Sequence, residues 1–351
     1  THWDEPPRAR HQLAKALAKN HEVIFVSANK IGLPRIHKTN IYTNFDVIIP
    51  KFPIDVRIRT KIPLMNKWYQ NWLFKKIRNQ HQNYIVINFD FTATNLFCYF
   101  EKVIYYCNDD FTAMSRNYHP FIYRYHLKTE KSVSSKSEFC IATSSFLAEK
   151  LSVHNKKTFE IRLGGPDIRD YSVSPTYIHP DKNHIKAVLL GFLSTALSGI
   201  LEEIMKQPKI KLTFIGPVDE KYQKKYNSEN IIYKGILTGN ELYQELQKAD
   251  VGIIPYSFTT SVDRTPNKLW QYFAVGKPAV ISDIKSIKSW VFPDKFMYKS
   301  KNIDEFISNI FLAAKENNEQ LTQARVKESL ENTWEKRSEQ LIRILSEHHL
   351  N

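Results

Sequence analysis

Short apolar runs alternate regularly with amphipathic segments along the chain. In the second half the apolar runs end in glycine, as in Ala187–Leu190 before Gly191 and Lys211–Ile215 before Gly216. A helical pattern such as Glu241–Ala249 separates successive runs. Strands that alternate with helices predict βαβ units and parallel, doubly wound sheets. Because such sheets bind ligands at the carboxyl ends of their strands, the loops after these runs are the predicted binding loops.

The length of 351 residues indicates two domains, since a single core stops growing below this size. Two glycines and a proline interrupt the periodicity within Leu163–Pro166. We therefore predict an α/β chain with an N-terminal domain over 1–163 and a C-terminal domain over 164–318. A charged helical segment over 319–351 is expected to pack back on the first domain.

Charge separates the two halves. The formal net charge is +14, and residues up to Gly165 hold 25 basic and 13 acidic residues. The remainder holds 25 basic and 23 acidic residues, so nearly all of the positive excess lies in the first half. This asymmetry indicates that the two domains have different partners.

The positive charge is densest in residues 51–78, where eight basic residues accompany a single acidic one, Asp55. On a helix, Leu64, Trp68 and Trp72 would form one apolar stripe. A basic amphipathic segment with tryptophans is typical of the surface of an anionic membrane. The alternative is that the aromatic side chains belong to the core and the charges form a solvated face. The eight basic residues are Lys51, Arg57, Arg59, Lys61, Lys67, Lys75, Lys76 and Arg78.

Other classes of protein fit poorly. Basic residues with aromatic ones also occur in single-strand binding surfaces, but no nucleic-acid module is recognisable, so we predict no nucleic-acid partner. Three cysteines without CxxC spacing predict neither a zinc site nor a disulfide framework, and favour the cytoplasm. No spacing of potential metal ligands is convincing. No apolar run reaches the roughly 18 residues of a membrane span, so a soluble protein that could lie on a membrane surface is expected.

The most informative segment is 263–282. Thr265 is expected to cap a helix over Pro266–Val275, which places Lys268 in the first turn beside unpaired backbone N–H groups. A lysine at a helix N-terminus suits a diphosphate. Gln271 lies on the same face and could hold a ribose hydroxyl. The alternative is an ordinary capped helix with a solvated lysine.

This segment resembles the PxKxxEYxAxGKPVV signature of GT-B glycosyltransferases, especially those related to family 4. Three further stretches resemble family motifs in the same order: 188–194, 212–217 and 230–255. In the first half, 6–13, 105–110 and 142–144 are weaker matches. The resemblance implies two Rossmann-like domains facing a cleft, with no cofactor and no metal. It implies that the donor nucleotide sugar is bound by Gly191, Ser194, Gly216, Gly235, Ile236, Leu237, Asp263, Pro266, Asn267, Lys268 and Gln271.

The chain departs from the family at the positions that set stereochemistry. Retaining members carry two glutamates separated by seven residues, and Asp263 and Gln271 occupy those positions here. A lysine followed three residues later by glutamine is similar to the xanthan-pathway glucuronosyltransferase, which inverts. Inversion and retention therefore both stay open.

An inverting reaction needs a base in the acceptor domain. The candidates are Asp109 and Asp110, which follow the predicted strand Val103–Tyr106, and Asp90, which follows Tyr84–Ile87. The alternative for each of them is a turn or cap residue.

The sequence therefore predicts transfer of a sugar, expected to be UDP-linked, to a lipid-linked or oligosaccharide acceptor in bacterial surface glycan synthesis. The enzyme is expected at the inner face of the cell membrane. A nucleotide-sugar 2-epimerase would share the architecture, but it gains little from a basic acceptor half. A polyanion-binding protein is the other alternative.

Overall fold

The computed structural model describes residues 1–351 except 6, 80–83, 180, 182, 193–197, 259–264 and 351. The chain forms two compact units. The first unit consists chiefly of Thr1–Leu163 and Trp334–Asn351, and the second of Gly164–Ser261 and Pro266–Thr333. The change of unit after Leu163 falls at the glycines and proline that interrupt the sequence pattern.

The first unit begins with a helix and contains two sheets. Its elements are α1 (Ala9–Ala18), β1 (Val23–Val26), β2 (Lys30–Ile31), β3 (Arg35–Tyr42), β4 (Phe45–Phe52), α2 (Val56–Arg59), α3 (Pro63–Arg78), β5 (Val86–Asn88), β6 (Val103–Cys107), α4 (Phe111–Met114), α5 (Pro120–Lys136), β7 (Phe139–Ala142), α6 (Ser145–Ser152) and β8 (Thr158–Glu160).

The first of these sheets has the order β1-β4-β2, with β3 antiparallel on β4. The second has the order β5-β6-β7-β8, and all its strands are parallel. Every residue of β6 and β7 is buried, as expected for parallel strands covered by helices on both faces.

The second unit is a doubly wound sheet with helices on both faces. Its elements are β9 (Ile185–Leu190), α7 (Ser198–Met205), β10 (Ile210–Ile215), α8 (Glu220–Lys225), β11 (Ile231–Tyr233), α9 (Gly239–Gln247), β12 (Val251–Ile254), α10 (Lys268–Ala274), β13 (Ala279–Ser282), β14 (Met297–Ser300), α11 (Ile303–Glu316) and α12 (Glu319–Leu330).

The six strands are parallel in the order β11-β10-β9-β12-β13-β14. The chain therefore moves outward from β9 in one direction and from β12 in the other. This reversal creates a topological switch point after β9, which is where open α/β sheets bind their ligands.

The C-terminal helical region differs from the expectation, because it divides between the units. α12 stays in the second unit, where the buried Arg325 donates to the carbonyl oxygens of Gly276 (3.0 Å) and Lys295 (2.6 Å). The last helix, α13 (Trp334–Glu347), belongs to the first unit, where Trp334 and Leu341 join its core. The segment predicted as one piece over 319–351 thus changes unit after Thr333.

Among the described residues, no helix combines the length and the apolarity that a membrane span requires.

Candidate donor and acceptor sites

Two glycines bring the loops after β9 and β10 into direct contact. Gly191 and Gly216 have φ angles of +118° and +145°, which favour glycine. A Cβ atom on Gly216 would lie 2.0 Å from the carbonyl oxygen of Gly191. The Gly216 amide also donates to the Gly235 carbonyl oxygen at 2.8 Å, which brings in the loop after β11. Three predicted binding residues therefore meet at the switch point.

Lys268 lies over this glycine edge. A Cβ atom on Gly191 would be 2.6 Å from Lys268 Nζ and 2.7 Å from Cε, so the lysine occupies the space that the glycine leaves. The side chain is held there because α10 is anchored by a buried face that includes Leu269 and Phe273. An ammonium group over the glycine backbone at the strand ends is suited to an anionic group of a ligand.

The helix that carries Lys268 starts later than expected. α10 begins at Lys268, with Asn267 as its N-cap residue and no side-chain cap, instead of beginning at Pro266 under a Thr265 cap. The reason is that Pro266 and Asn267 form a tighter turn, in which the Pro266 carbonyl oxygen accepts from the Leu269 amide at 3.2 Å. Asn267 Oδ1 is buried there without a hydrogen-bond partner in the described part of the chain.

Tyr272 helps to position α10 at the donor site, and this role was not predicted from the sequence. Its buried hydroxyl accepts from the Leu190 amide at 3.1 Å and can donate to the Ile253 carbonyl oxygen at 3.1 Å. Its ring packs so closely on Gly252 that a Cβ atom there would be 2.3 Å away. Tyr272 thereby fixes α10 across β9 and β12. Its match to the tyrosine of the glycosyltransferase signature could have indicated this role from the sequence.

The other residues predicted to bind the donor lie in different surroundings or outside the described part of the chain. Gln271 forms a hydrogen bond to Tyr243, a residue whose pKa is raised by burial. Ile236 is exposed, whereas Leu237 packs against the core. Ser194 and Asp263 lie outside the described residues.

In the first unit, Asp110 is part of a buried charged network. Its Oδ1 accepts from Lys150 Nζ at 2.8 Å and from the Ala113 amide at 3.1 Å, which caps α4. Lys150 also contacts Glu130 at 2.6 Å. Burial alone would raise the pKa of Asp110, but the hydrogen bond and charge of Lys150 lower it below its usual value. A carboxylate held in this way is poorly suited to accept a proton.

Asp90 and Asp109 lie at the carboxyl ends of β5 and β6 and share a neighbour, Arg10. Asp90 Oδ1 accepts from the amide and hydroxyl of Thr92 at 2.8 and 2.7 Å, and Asp109 Oδ2 accepts from Asn108 at 2.9 Å. Burial lowers the pKa of Arg10, while the charges of Asp90 and Asp109 oppose that shift. The structure therefore brings two of the three predicted carboxylates into one electrostatic group.

A buried network of hydrogen bonds holds the loop that contains Asp90. Arg59 donates to Asn29 Oδ1 at 2.9 Å and to Asn66 Oδ1 at 2.5 Å, and its guanidinium lies 3.7 Å from the Tyr69 ring centroid. Asn66 in turn donates to Thr92 Oγ1 at 3.1 Å. Arg59 was predicted to belong to a basic surface, and the structure corrects this, because Arg59 is only 3% exposed.

The outer face of α3 combines exposed apolar and basic side chains. Leu64 is 80% exposed and Trp68 is 55% exposed, although the Trp68 ring, like that of Trp72, also contacts Phe52. The opposite face, with Tyr69 and Leu73, forms the core. We call the exposed set the α3 surface; it comprises Leu64, Met65, Lys67, Trp68, Lys75, Lys76 and Arg78.

Within the described ranges, no group of three or more histidine, cysteine, aspartate or glutamate side chains is arranged to hold a metal ion.

Comparison with known proteins gives one family and a common fold. Residues 187–316 match the family described as glycosyl transferases group 1. No curated protein has a significant sequence match to the chain. Several solved structures align over nearly its whole length. Sucrose-phosphate synthase from Thermosynechococcus elongatus has a TM-score of 0.73 at 13% identity, with 96% of this chain and 92% of the other covered.

Two further structures align over nearly the whole chain. WaaG, a glycosyltransferase involved in lipopolysaccharide biosynthesis, aligns with a TM-score of 0.68 at 12% identity, covering 95% of this chain and 96% of WaaG. HepE from Anabaena in complex with UDP aligns with a TM-score of 0.64 at 13% identity, covering 99% and 98%. The chain has the GT-B fold that the sequence predicted, and its residues 187–316 are similar to glycosyl transferases group 1, which supports a glycosyltransferase.

Proposed function

We propose that the protein transfers a sugar from a UDP-linked donor to a lipid-linked or oligosaccharide acceptor at an anionic membrane surface. The observation that carries the donor half of this proposal is the position of Lys268 Nζ over Gly191 at the switch point. The UDP complex of HepE, which shares the fold, supports uracil as the base of the donor nucleotide.

In the reaction, the acceptor hydroxyl oxygen attacks the anomeric carbon of the donor sugar. The bond from that carbon to the diphosphate oxygen breaks, and the diphosphate leaves with the electron pair. Lys268 stabilises the negative charge that develops on the diphosphate. The absence of a side chain on Gly216 lets the loops after β9 and β10 pack together, and the absence of one on Gly191 leaves the space in which Lys268 lies.

The proton of the acceptor hydroxyl passes to a carboxylate in the first unit if the reaction inverts. Asp90 and Asp109 are the candidates, because each lies at a strand end beside Arg10. Asp110 is assigned a structural role instead, since Lys150 and the Ala113 amide already bind its carboxylate. The finer resemblance to the xanthan-pathway enzyme stays a prediction.

The acceptor is inferred from the α3 surface. An exposed tryptophan beside several lysines fits the boundary between lipid headgroups and acyl chains. Each basic residue near an anionic surface contributes about 1 kcal/mol, so Lys67, Lys75, Lys76 and Arg78 together would give transient membrane binding. A lipid-linked acceptor is the substrate class that such a surface would serve.

The donor site is tested by a thermal-shift panel of UDP, GDP, CDP and ADP. A ligand at 100 times its dissociation constant stabilises the native state by about 2.7 kcal/mol, which is readily measured. We expect selective stabilisation by UDP, lost in Lys268→Ala and kept in Lys234→Ala, an exposed lysine of the same unit. Equal UDP binding by Lys268→Ala would refute the phosphate role.

The base is tested by turnover of Asp90→Asn, Asp109→Asn and Asp110→Asn with donor and acceptor. We expect one of the first two variants to lose at least about 100-fold in kcat, the usual range for general-base removal. Asp110→Asn should lose stability, with its kcat unchanged at a temperature where it is folded. Full turnover by both Asp90→Asn and Asp109→Asn would exclude the base assignment.

The membrane surface is tested by co-sedimentation with vesicles of phosphatidylglycerol and phosphatidylcholine. Trp68→Ala combined with Lys75→Glu and Lys76→Glu should abolish binding, whereas Lys248→Glu on the second unit should leave it intact. Unchanged binding by the triple variant would rule out the α3 surface as the contact.

A further inference from the structure

The outer face of α5 carries a positive charge that is separate from the α3 surface. Residues 111–137 hold five basic residues and a single acidic one, Glu130. Glu130 is only 3% exposed and contacts Lys150, so it does not neutralise the outer face. All five basic side chains are exposed, and none of them forms a salt bridge within the described part of the chain. The five are Arg116, Arg124, Lys128, Lys131 and Lys136.

The cations of α5 occupy the centre of its exposed face. An α-helix turns by about 100° per residue, so Arg124, Lys128 and Lys131 fall within an arc of about 60°. They extend over about 10 Å along the helix axis, since each residue adds about 1.5 Å. The exposed apolar side chains Phe121 and Leu127 lie on opposite margins of this arc. The result is a line of positive charge that is bordered by apolar groups.

This line of charge begins beside the loop that contains Asp90. His126, on the buried face of α5, packs its ring against Phe91 with 5.1 Å between the ring centroids. Just before α5, the exposed ring of Tyr118 has its centroid 4.3 Å from Lys61 Nζ. A chain that is bound at Asp90 and runs outward over this edge would meet the aromatic ring and its cation first, and then the cations of α5.

We propose that the outer face of α5 binds an anionic oligosaccharide, which is the part of the acceptor that extends beyond the sugar being glycosylated. This inference rests on the proposed sugar transfer and narrows the acceptor to chains that carry carboxylate, phosphate or sulfate groups. We call the residues that would bind it the α5 surface; they are Arg116, Tyr118, Phe121, Arg124, Lys128 and Lys131.

The arrangement of the side chains favours a charged glycan over a lipid bilayer as the occupant. A helix that lies in a membrane interface buries an apolar face and keeps its cations on the opposite, polar face. On α5 the cations are central and the apolar side chains are marginal. Lysine and arginine bind acidic groups through charge-assisted hydrogen bonds, and the exposed rings of Tyr118 and Phe121 offer flat surfaces to the C–H faces of sugar rings.

Binding along α5 would act on acceptor affinity and not on the chemical step. Contacts with the extended acceptor are present equally in the bound substrate and in the transition state. They therefore lower KM and leave kcat unchanged. Long acidic acceptors should be preferred over neutral ones of the same length when the acceptor is dilute.

The test measures binding of two oligosaccharides of equal length by isothermal titration. Hexagalacturonate carries one carboxylate on each sugar, and maltohexaose is neutral. At low ionic strength, where exposed charges are least screened, the wild type should bind hexagalacturonate at least about ten-fold more tightly than maltohexaose. Arg124→Glu combined with Lys128→Glu should weaken hexagalacturonate binding at least about ten-fold.

The matched control is Lys75→Glu combined with Lys76→Glu, which changes the net charge equally on the α3 surface. It should alter hexagalacturonate binding by less than about three-fold, because these lysines are outside the α5 surface. The charge-conserving variant Arg124→Lys with Lys128→Arg should bind like the wild type. Equal weakening by the control would show that net charge decides binding and would overturn the proposal.

Two measurements on Arg124→Glu with Lys128→Glu separate this inference from the proposed function. Its stabilisation by UDP and its co-sedimentation with anionic vesicles should both match the wild type. Loss of vesicle binding with unchanged hexagalacturonate binding would assign the face to the membrane and overturn the proposal. Tighter binding of a single-stranded DNA hexamer than of hexagalacturonate by the wild type would overturn it as well. A wild type that binds hexagalacturonate through these residues but shows no UDP shift would refute the proposed donor and leave the α5 surface supported.

Discussion

The strand ends of the two units are built in opposite ways. In the second unit, glycines make room, and a single lysine occupies the space over Gly191. In the first unit, side chains fill the space: Lys150 joins Asp110 and Glu130, and Arg59 joins Asn29 and Asn66. The second unit therefore depends on close contacts between its own backbone loops beside Lys268, whereas the first unit uses buried hydrogen bonds to fix the loops that carry its carboxylates.

The largest effect is expected from Lys150→Met, which would leave two buried carboxylates without their cation. Removing one partner of a buried ion pair costs about 3–5 kcal/mol. Denaturant unfolding at pH 7 should show this loss, whereas Lys19→Met, which breaks the exposed pair with Glu335, should cost less than about 1 kcal/mol. Equal losses in both variants would show that the first unit does not depend on its buried network.

The same variant has a predicted pH dependence. Because the native pKa of Asp110 is lowered, its contribution to stability is present above the ordinary carboxyl pKa and is lost as pH falls through the native pKa. In the variant the lowering effect of Lys150 is absent, so burial raises the pKa of Asp110 and favours its protonation. The difference in unfolding free energy between wild type and Lys150→Met should therefore shrink from pH 7 toward pH 4.

An intermediate effect is expected from Gly216→Ala, which tests the glycine side of the comparison. The new Cβ would meet the Gly191 carbonyl oxygen, so we expect a loss of about 3 kcal/mol. Gly239→Ala is the matched control, since Gly239 also has positive φ (+57°) but has no atom within 4 Å of a built Cβ. It should cost about 1 kcal/mol, and a similar loss in both variants would mean that backbone strain alone matters.

The smallest effect is expected from Arg59→Met, which keeps the apolar stem over Tyr69 but removes the charged hydrogen bonds. These contribute about 1.5–3 kcal/mol, so we expect a loss near 2 kcal/mol by denaturant unfolding. Arg57→Met two residues earlier breaks only an exposed pair with Asp55 and should change stability by less than about 1 kcal/mol. If Arg57→Met cost as much, burial would not distinguish the two arginines.

The comparison also explains what the sequence could predict. Glycines at the ends of strands indicate close contacts between backbone segments. The doubly wound sheet and the positions of Gly191, Gly216 and Lys268 could therefore be predicted from the local sequence pattern. The role of Asp110 did not, because it depends on Lys150, which is forty residues away along the chain. Arg59 was wrongly predicted to lie on a basic surface, because a count of charged residues contains no information on which of them are buried. The division of the final helices between units depended on which partner each apolar face meets, and periodicity shows only that a face exists.

The return of α13 to the first unit makes that unit discontinuous in the chain. Its core includes Leu13 and Ile104 from the beginning of the sequence and Trp334 and Leu341 from the end. A ribosome adds roughly 5–20 residues per second, so the last helix appears roughly 10–30 s after the rest of the first unit has been made. At the end of that interval the second unit is complete in sequence, while the first still lacks the part of its core that α13 supplies. The second unit can therefore fold before the first unit is complete. Until α13 has been synthesised, the apolar surface of the first unit that binds this helix stays uncovered.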